Sequence, residues 1–443
     1  MARKFVVETF GCQMNYHDSE RITGLLEADG YEAAVDETEA ELVVLNTCSI
    51  REKAVGKVRS RLGQIMDAAR ERGDKPPMVA VTGCVAQQEG DKLFAGGTPI
   101  DVVAGTQAVK QLPRLLAEAR ETRKQRFDVN PYEDVSFPLG LAHHADPVRA
   151  SVTIIEGCNE FCAFCVVPYT RGHERMRPVR DILAEARRAA DTGHVEIQLL
   201  GQIVNHYEAP DDNCDFAQLL HRVHDIAGVE RIRFSSPHPR HVTPRLIRAI
   251  RDLPKIAKHL HLPVQSGSNR ILTAMRRRYT RESYLDQISA LREAVPLIAI
   301  STDTIVGFPG ETDEDFALTM DLVQRAQYHA MYSFKYSPRP NTLAVKRMPD
   351  DVTEGEKTRR IVALQDLQRD IQGRVYANMV GRIETVLVDY PSRRRDWEVA
   401  GRTSGNTVVN FAGDASLVGR LVPVRITAAS PNSLRGEAAG HVD

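Results

Sequence analysis

The chain has 443 residues, too many for one ordinary hydrophobic core, so two or three domains are expected. Hydrophobic residues at 42% and charged residues at 26% are those of a soluble globular protein, and no apolar run approaches membrane-spanning length. A formal net charge of -1 excludes a globally basic nucleic-acid binder, so any RNA or DNA contact must come from local patches.

The start, Met-Ala-Arg-Lys-Phe, leads straight into a strand-like run without a signal peptide, so a cytoplasmic protein with no membrane partner is expected. In that reducing compartment seven cysteines are better read as ligands or catalysts than as a disulfide framework.

Residues 3–120 repeat one pattern three times. Each unit is an apolar run ending in a cysteine: Phe5 to Cys12, Leu42 to Cys48 and Met78 to Cys84. Helix-compatible segments follow, such as Ser19 to Ala28 and Ala54 to Arg72. Buried runs alternating with helices predict a doubly wound α/β domain around a parallel sheet. The cysteines recur from 12 to 48 and again from 48 to 84, an interval of 36 residues each time and close to one strand-helix unit. All three thiols should therefore leave strands at one sheet edge, where open α/β sheets bind ligands. They could form a three-cysteine iron site or be buried structural cysteines. Gly11, Asn46, Thr47 and Gly83 beside them favour the first reading, because small or amide-bearing residues leave backbone N–H groups for cluster sulfur.

Residues 121–147 read as a polar linker, with Pro131, Pro138, Pro147 and a solvated pair His143-His144.

From 148 to 375 the chain reads as an α/β core. Six strand-then-helix units are expected, with strands at 151–155, 195–200, 231–235, 259–264, 298–303 and 330–336. Six units suggest an incomplete barrel, open to a large substrate. Its first strand leads into Cys158, Cys162 and Cys165, at intervals of four and three, with Phe164 before the last. A four-iron cluster held by three thiolates keeps one iron free for a substrate or cofactor. The alternative is a zinc site or three buried thiols, but zinc usually takes a second ligand pair and none lies nearby. Later strand ends carry Gly201 and Gln202, Ser235, Gln265 and Ser266, and Asp303, candidates for the ribose, carboxylate and adenine of a nucleoside cofactor. Each such loop taken singly is also an ordinary turn. Arg171, Arg175 and Arg177 follow the cysteine loop and could contact substrate phosphate or cofactor carboxylate, or form surface ion pairs.

Residues 377–440 are rich in Val, Thr and Gly in short alternating runs, which predicts a small antiparallel barrel. Between its first strands, Arg393-Arg394-Arg395-Asp396-Trp397 suits a phosphate backbone and a stacked base, or is a solvated loop whose tryptophan packs on the barrel.

The Cys-x3-Cys-x2-Cys arrangement with Phe164 resembles the radical S-adenosylmethionine superfamily. With the other pieces, nearly the whole chain is similar to the radical methylthiotransferase family: a three-cysteine N-terminal domain, a radical core and an RNA-binding barrel of the TRAM type. Within it, Thr9 to Asn15, Leu200 to Asn205, Leu262 to Ser268, Arg276 to Thr280 and Tyr336 to Pro340 resemble the branch acting on N(6)-dimethylallyladenosine in tRNA. Asn341 departs from the glycine expected there, but asparagine tolerates a left-handed backbone. Cys214 matches no family ligand.

The resemblance implies two 4Fe-4S clusters, one on Cys158, Cys162 and Cys165 and one on Cys12, Cys48 and Cys84, the latter carrying the sulfur to be inserted. It implies two S-adenosylmethionine molecules per turnover. One methylates that sulfur and the other yields the radical that takes hydrogen from C2 of the adenine at position 37, next to the anticodon. The implied partners are a tRNA anticodon stem-loop and an electron donor such as flavodoxin or ferredoxin, with the protein a monomer and the sulfur donor unidentified. The alternatives are methylthiolation of threonylcarbamoyl-adenosine or of a ribosomal-protein aspartate, or a non-catalytic iron-sulfur RNA-binding protein.

Overall fold

The structure is a computed structural model and describes residues 2–49, 54–131, 144–392, 395 and 397–440. The chain folds into two compact units. The first comprises Met1–Ala145, Ser151–Asn159 and Cys165–Glu185; the second comprises Asp146–Ala150, Glu160–Phe164 and Ala186–Asp443. Among the described residues no helix is long and apolar enough to cross a membrane.

In the first unit, strands β1 (Arg3–Phe10), β2 (Tyr31–Ala33), β3 (Leu42–Thr47), β4 (Met78–Gly83), β5 (Val102–Ala104) and β6 (Arg126–Asp128) form one parallel sheet ordered β2-β1-β3-β4-β5-β6. Helices α1 (Gln13–Ala28), α2 (Ala54–Arg72), α3 (Cys84–Glu89) and α4 (Leu112–Thr122) connect them. Every residue of β3 is buried, because helices cover both faces. Leu42 and Val44 share a core with Ile22, Leu26, Leu112 and Leu116, whereas Val43 and Leu45 share the other with Val58, Leu62 and Ile65. Each of these side chains contributes about 1.5–3 kcal/mol by leaving water. The doubly wound expectation is met, but β6 extends the sheet into residues read as linker. His144, expected in solvent, instead stacks on His17 and lies 3.4 Å from Glu20. His143 lies outside the described residues.

After β7 (Arg149–Thr153), β8 (Ile155–Glu156) pairs antiparallel with β9 (Arg175–Met176), and α5 (Val167–Thr170) and α6 (Val179–Asp191) complete this stretch.

In the second unit, β10 (Glu196–Leu200) pairs parallel with β11 (Arg231–Phe234), and β12 (His259–His261), β13 (Ala299–Val306) and β14 (Ala330–Lys335) pair parallel in that order. An isolated parallel bridge pairs Ile232 of β11 with Ile256, ahead of β12, and β14 is an outer strand of its sheet. Helices α7 (Phe216–His224), α8 (Pro244–Asp252), α9 (Asn269–Ala274), α10 (Arg281–Ala294), α11 (Asp313–Ala326) and α12 (Leu343–Arg347) alternate with them. Helix α13 (Glu354–Ala377) then leads to β15 (Ile383–Pro391), β16 (Glu398–Thr403), β17 (Val408–Ala412), β18 (Leu421–Ala429) and β19 (Leu434–Ala438), a closed barrel. Arginines of β11 hold that barrel. Arg231 donates to the Arg402 carbonyl at 2.7 Å, and Arg233 donates to the Thr403 carbonyl at 2.7 Å while pairing with buried Glu196 at 3.0 Å.

Candidate cluster site

The registers of β1, β3 and β4 align Phe10 with Thr47 and Thr47 with Gly83, so Cys12, Cys48 and Cys84 follow matched strand ends. The strand order reverses between β1 and β3, the position at which doubly wound sheets bind ligands. Two glycines permit the approach. A Cβ on Gly11 would lie 2.7 Å from Cβ of Cys48, and Gly83 has φ +87° with Thr47 O 2.4 Å from where its Cβ would be.

An amide lattice fixes the edge. Asn15 donates to Asn46 Oδ1 and to the Thr47 carbonyl, both at 3.1 Å, and Asn46 returns a bond of 2.7 Å to the Asn15 carbonyl. Cys12 Sγ donates to Asn15 Oδ1 at 3.3 Å. The Cys48 thiol hydrogen-bonds to both Cys12 and Cys84. That contact comes first in bringing Cys12 and Cys84 down to about 6, and Arg171 adds the field of a cation. Cys48, the shared donor, is pushed up. Thiolate is the form that binds metal, so the triad is chemically fit for an iron-sulfur cluster.

Sequence reasoning missed Asp18, which pairs with Arg171 at 2.6 Å. Arg171 is 6% exposed, and its carbonyl accepts from Gln107 at 2.9 Å. Arg177 likewise turns inward, onto the Thr153 carbonyl at 2.6 Å and Glu185 at 2.7 Å. Both guanidinium groups are thus engaged in ion pairs within the protein, one of the roles the sequence left open for them. Arg175 is half-buried and its backbone pairs with Glu156.

Cys158 and Cys165 belong to the first unit and Cys162 to the second. Cys158 donates its backbone N–H to the Gly172 carbonyl at 3.2 Å. Cys162 accepts a hydrogen bond at Sγ from Arg277 Nη1 at 3.3 Å. Phe164 packs on a core that includes Ile271, Met275 and Phe308.

The remaining candidates lie in the second unit. Gln265 is held at φ +69°, its N–H on the Asp303 carbonyl and its carbonyl on the Ile305 N–H, each 2.9 Å. Asp303 reaches His261 at 3.4 Å. Ser235 Oγ accepts from Gln198 at 3.0 Å; Gly201 is buried and Gln202 half-buried beyond β10. Ser266 is 0% exposed and its hydroxyl accepts from the Ser268 N–H at 3.2 Å, which shapes its turn. Asn341 takes φ +68°, as the sequence led us to expect. Cys214 is buried against the Asp215 carbonyl at 3.6 Å.

Glu160, His238 and His241 bring three ligand-type atoms within 4.8 Å of one another. They form an ion-pair cluster, not a cation site. Glu160 already meets Arg240 at 3.0 Å, His241 at 3.3 Å and Arg278 at 3.7 Å, and His238 Nδ1 accepts from the Arg240 N–H at 3.2 Å. Two guanidinium groups at the one carboxylate oppose a metal there.

On the barrel, Trp397 is 61% exposed with the Arg395 guanidinium 5.4 Å from its ring centroid. Arg394 lies outside the described residues.

Residues 4–105 match the uncharacterized protein family UPF0004, residues 152–323 the radical SAM superfamily and residues 377–439 the TRAM domain. The chain is 44% identical over 445 residues to the tRNA-2-methylthio-N(6)-dimethylallyladenosine synthase of Solibacter usitatus (strain Ellin6076), covering 99% of each. It is 45% identical over 450 residues to the protein of that name from Methylococcus capsulatus, covering 99% of this chain and 96% of that one. Among solved structures, the radical S-adenosylmethionine methyltransferase TsrM from Kitasatospora setae is similar with a TM-score of 0.56 at 14% identity, over 77% of this chain and 74% of that one. OxsB, a cobalamin-dependent S-adenosylmethionine radical enzyme, gives 0.53 at 12% identity, over 83% and 56%. At such identities the likeness is one of fold alone.

Proposed function

The chain belongs to the family of tRNA-2-methylthio-N(6)-dimethylallyladenosine synthases, and from that premise we propose that it methylthiolates C2 of N(6)-dimethylallyladenosine at position 37 of tRNA. The observation that carries this reading is the convergence of Cys12, Cys48 and Cys84 on matched strand ends at one sheet edge, in a chain that also holds the Cys158-Cys162-Cys165 loop. A single-cluster enzyme needs only the loop.

Radical SAM membership brings a 4Fe-4S cluster and S-adenosylmethionine. In our reading Cys158, Cys162 and Cys165 hold that cluster, and Cys12, Cys48 and Cys84 hold a second. Together with two S-adenosylmethionine molecules per turnover, these groups supply the radical and the methylated sulfur, because no side-chain acid or base can remove an unactivated aromatic hydrogen at neutral pH.

The chain's own residues orient and exclude. Asn15 and Asn46 lock the loops that present the triad, and the Asp18–Arg171 pair keeps a cation beside its anionic sulfurs. Phe164, Gly201, Gln202, Ser235, Gln265 and Asp303 are the groups we assign to the nucleoside cofactor. Asp315 braces the Gln265–Ser268 turn by accepting from Ser268 Oγ at 2.6 Å. Trp397 and its neighbouring arginines would stack on and neutralise the anticodon stem-loop. The target base would be turned out of its stack to reach the chemistry. A flavodoxin- or ferredoxin-type donor and a cytoplasmic, monomeric enzyme complete the proposal.

The test is mass spectrometry of tRNA nucleosides from cells with and without the gene. Loss of the 2-methylthio group with the isopentenyl group retained is the expected result. An unchanged 2-methylthio-isopentenyl nucleoside, with the loss falling on threonylcarbamoyl-adenosine or on a ribosomal-protein aspartate, would overturn it.

A further inference from the structure

Met275 to Thr280 carries three consecutive arginines that the proposed function does not use, and the backbone treats them unequally. Arg276 and Arg278 are exposed and adopt left-handed conformations, φ +60° and +55°. A residue with a Cβ avoids this region, and such strain persists only where the surroundings impose it. Between them Arg277 alone faces inward, at 5% exposure.

Once inside, the guanidinium is fixed on three sides. Nε donates to Tyr279 Oη at 2.9 Å, Nη2 donates to the Pro263 carbonyl at 3.0 Å and Nη1 donates to Cys162 Sγ at 3.3 Å. Tyr279 is itself anchored, donating to the Val264 carbonyl at 2.8 Å. The cysteine loop is tied to the same turn, since the Ala163 N–H donates to the Met275 carbonyl at 3.0 Å. Two strained arginines, a tyrosine and a loop bond thus hold one cation on one sulfur.

We propose that Arg277 is the positioning residue for the cluster held by Cys162: it donates a charge-assisted hydrogen bond to the ligand sulfur and raises the cluster's reduction potential. The inference rests on the assignment of Cys158, Cys162 and Cys165 as that cluster's ligands. Arginine remains protonated at any working pH, and hydrogen bonds to sulfur and local charge are levers that set iron-sulfur potentials. Reduction adds one negative charge to the cluster, so a fixed cation stabilises the reduced state more than the oxidised one. Lysine would retain the charge without the three-directional fork.

The test uses the full chain carrying C12A, C48A and C84A, so that only one cluster can assemble. Iron content and the midpoint potential, followed by electron paramagnetic resonance, are compared for this parent and for added R277K, R277Q or R276Q. With about four iron atoms per chain in each, R277Q should shift to more negative potential, R277K should fall between, and R276Q, from the exposed neighbour, should match the parent. Equal potentials in the parent and R277Q at full iron would overturn the role of Arg277. If R277Q holds no iron, R277K decides: a potential equal to the parent's overturns the role, and a more negative one sustains it. A parent without iron overturns the ligand assignment instead.

Discussion

Nη2 of Arg171 lies 2.6 Å from Oδ2 of Asp18, and the field of that buried guanidinium reaches the thiols of Cys12 and Cys84. Removing one partner of a buried pair leaves an uncompensated charge, typically at a cost of about 3–5 kcal/mol. Asp18→Ala should therefore lose stability of that order in urea denaturation of the apo-protein. A loss below about 1 kcal/mol would show that Arg171 does not depend on Asp18.

Gly83→Ala puts a methyl group against the Thr47 carbonyl at a φ that side chains avoid. The backbone strain alone is about 1–3 kcal/mol, and relief requires β3 and β4 to part where Cys48 and Cys84 emerge. Iron retained by the triad should fall together with the melting temperature. Full iron at an unchanged melting temperature would contradict this.

His329 has its pKa lowered to about 4, by burial first and by Arg292 second. A histidine depressed on folding stays neutral while the unfolded chain binds the proton, so stability is full above about pH 6.5 and falls as pH drops toward 4. At pH 5 the loss amounts to about 2 kcal/mol. Urea midpoints at pH 7.5 and 5.0 should therefore converge in His329→Gln relative to the parent. Equal pH dependence in both would refute this assignment.

Much of this was legible in the sequence because long apolar runs announce buried parallel strands, and cysteines at fixed spacing announce a shared edge. What escaped had physical reasons. Strands β2, β5 and β6 have three residues each, too few to show a period, and β6 sits in a segment whose polarity suits an edge strand as well as a linker. Asn15, Asp18 and Arg171 act through partners 31 and 153 positions away in the chain, which no local pattern reveals. Ser266 and Arg177 looked available because serine and arginine usually face solvent, and tertiary packing overrode that preference. His144 was drawn in by Glu20, whose carboxyl is held down at about 2 against the cost of burial by hydrogen bonds from His144 and His17.

Trp397 should matter for RNA and little for folding, since more than half of its surface is exposed. A stacked base is worth about 1–3 kcal/mol, so Trp397→Ala should weaken binding of an anticodon stem-loop about 5- to 150-fold at fixed salt. The melting temperature should not move. Unchanged affinity would assign the indole to the barrel surface alone.

The most direct measurement counts iron in anaerobically reconstituted protein. Two thiol triads predict about eight iron atoms per chain, falling to about four when Cys12, Cys48 and Cys84 are replaced by alanine, with sulfur insertion abolished. About four in the unaltered chain, or sulfur insertion surviving the triple replacement, would contradict a second cluster at the sheet edge.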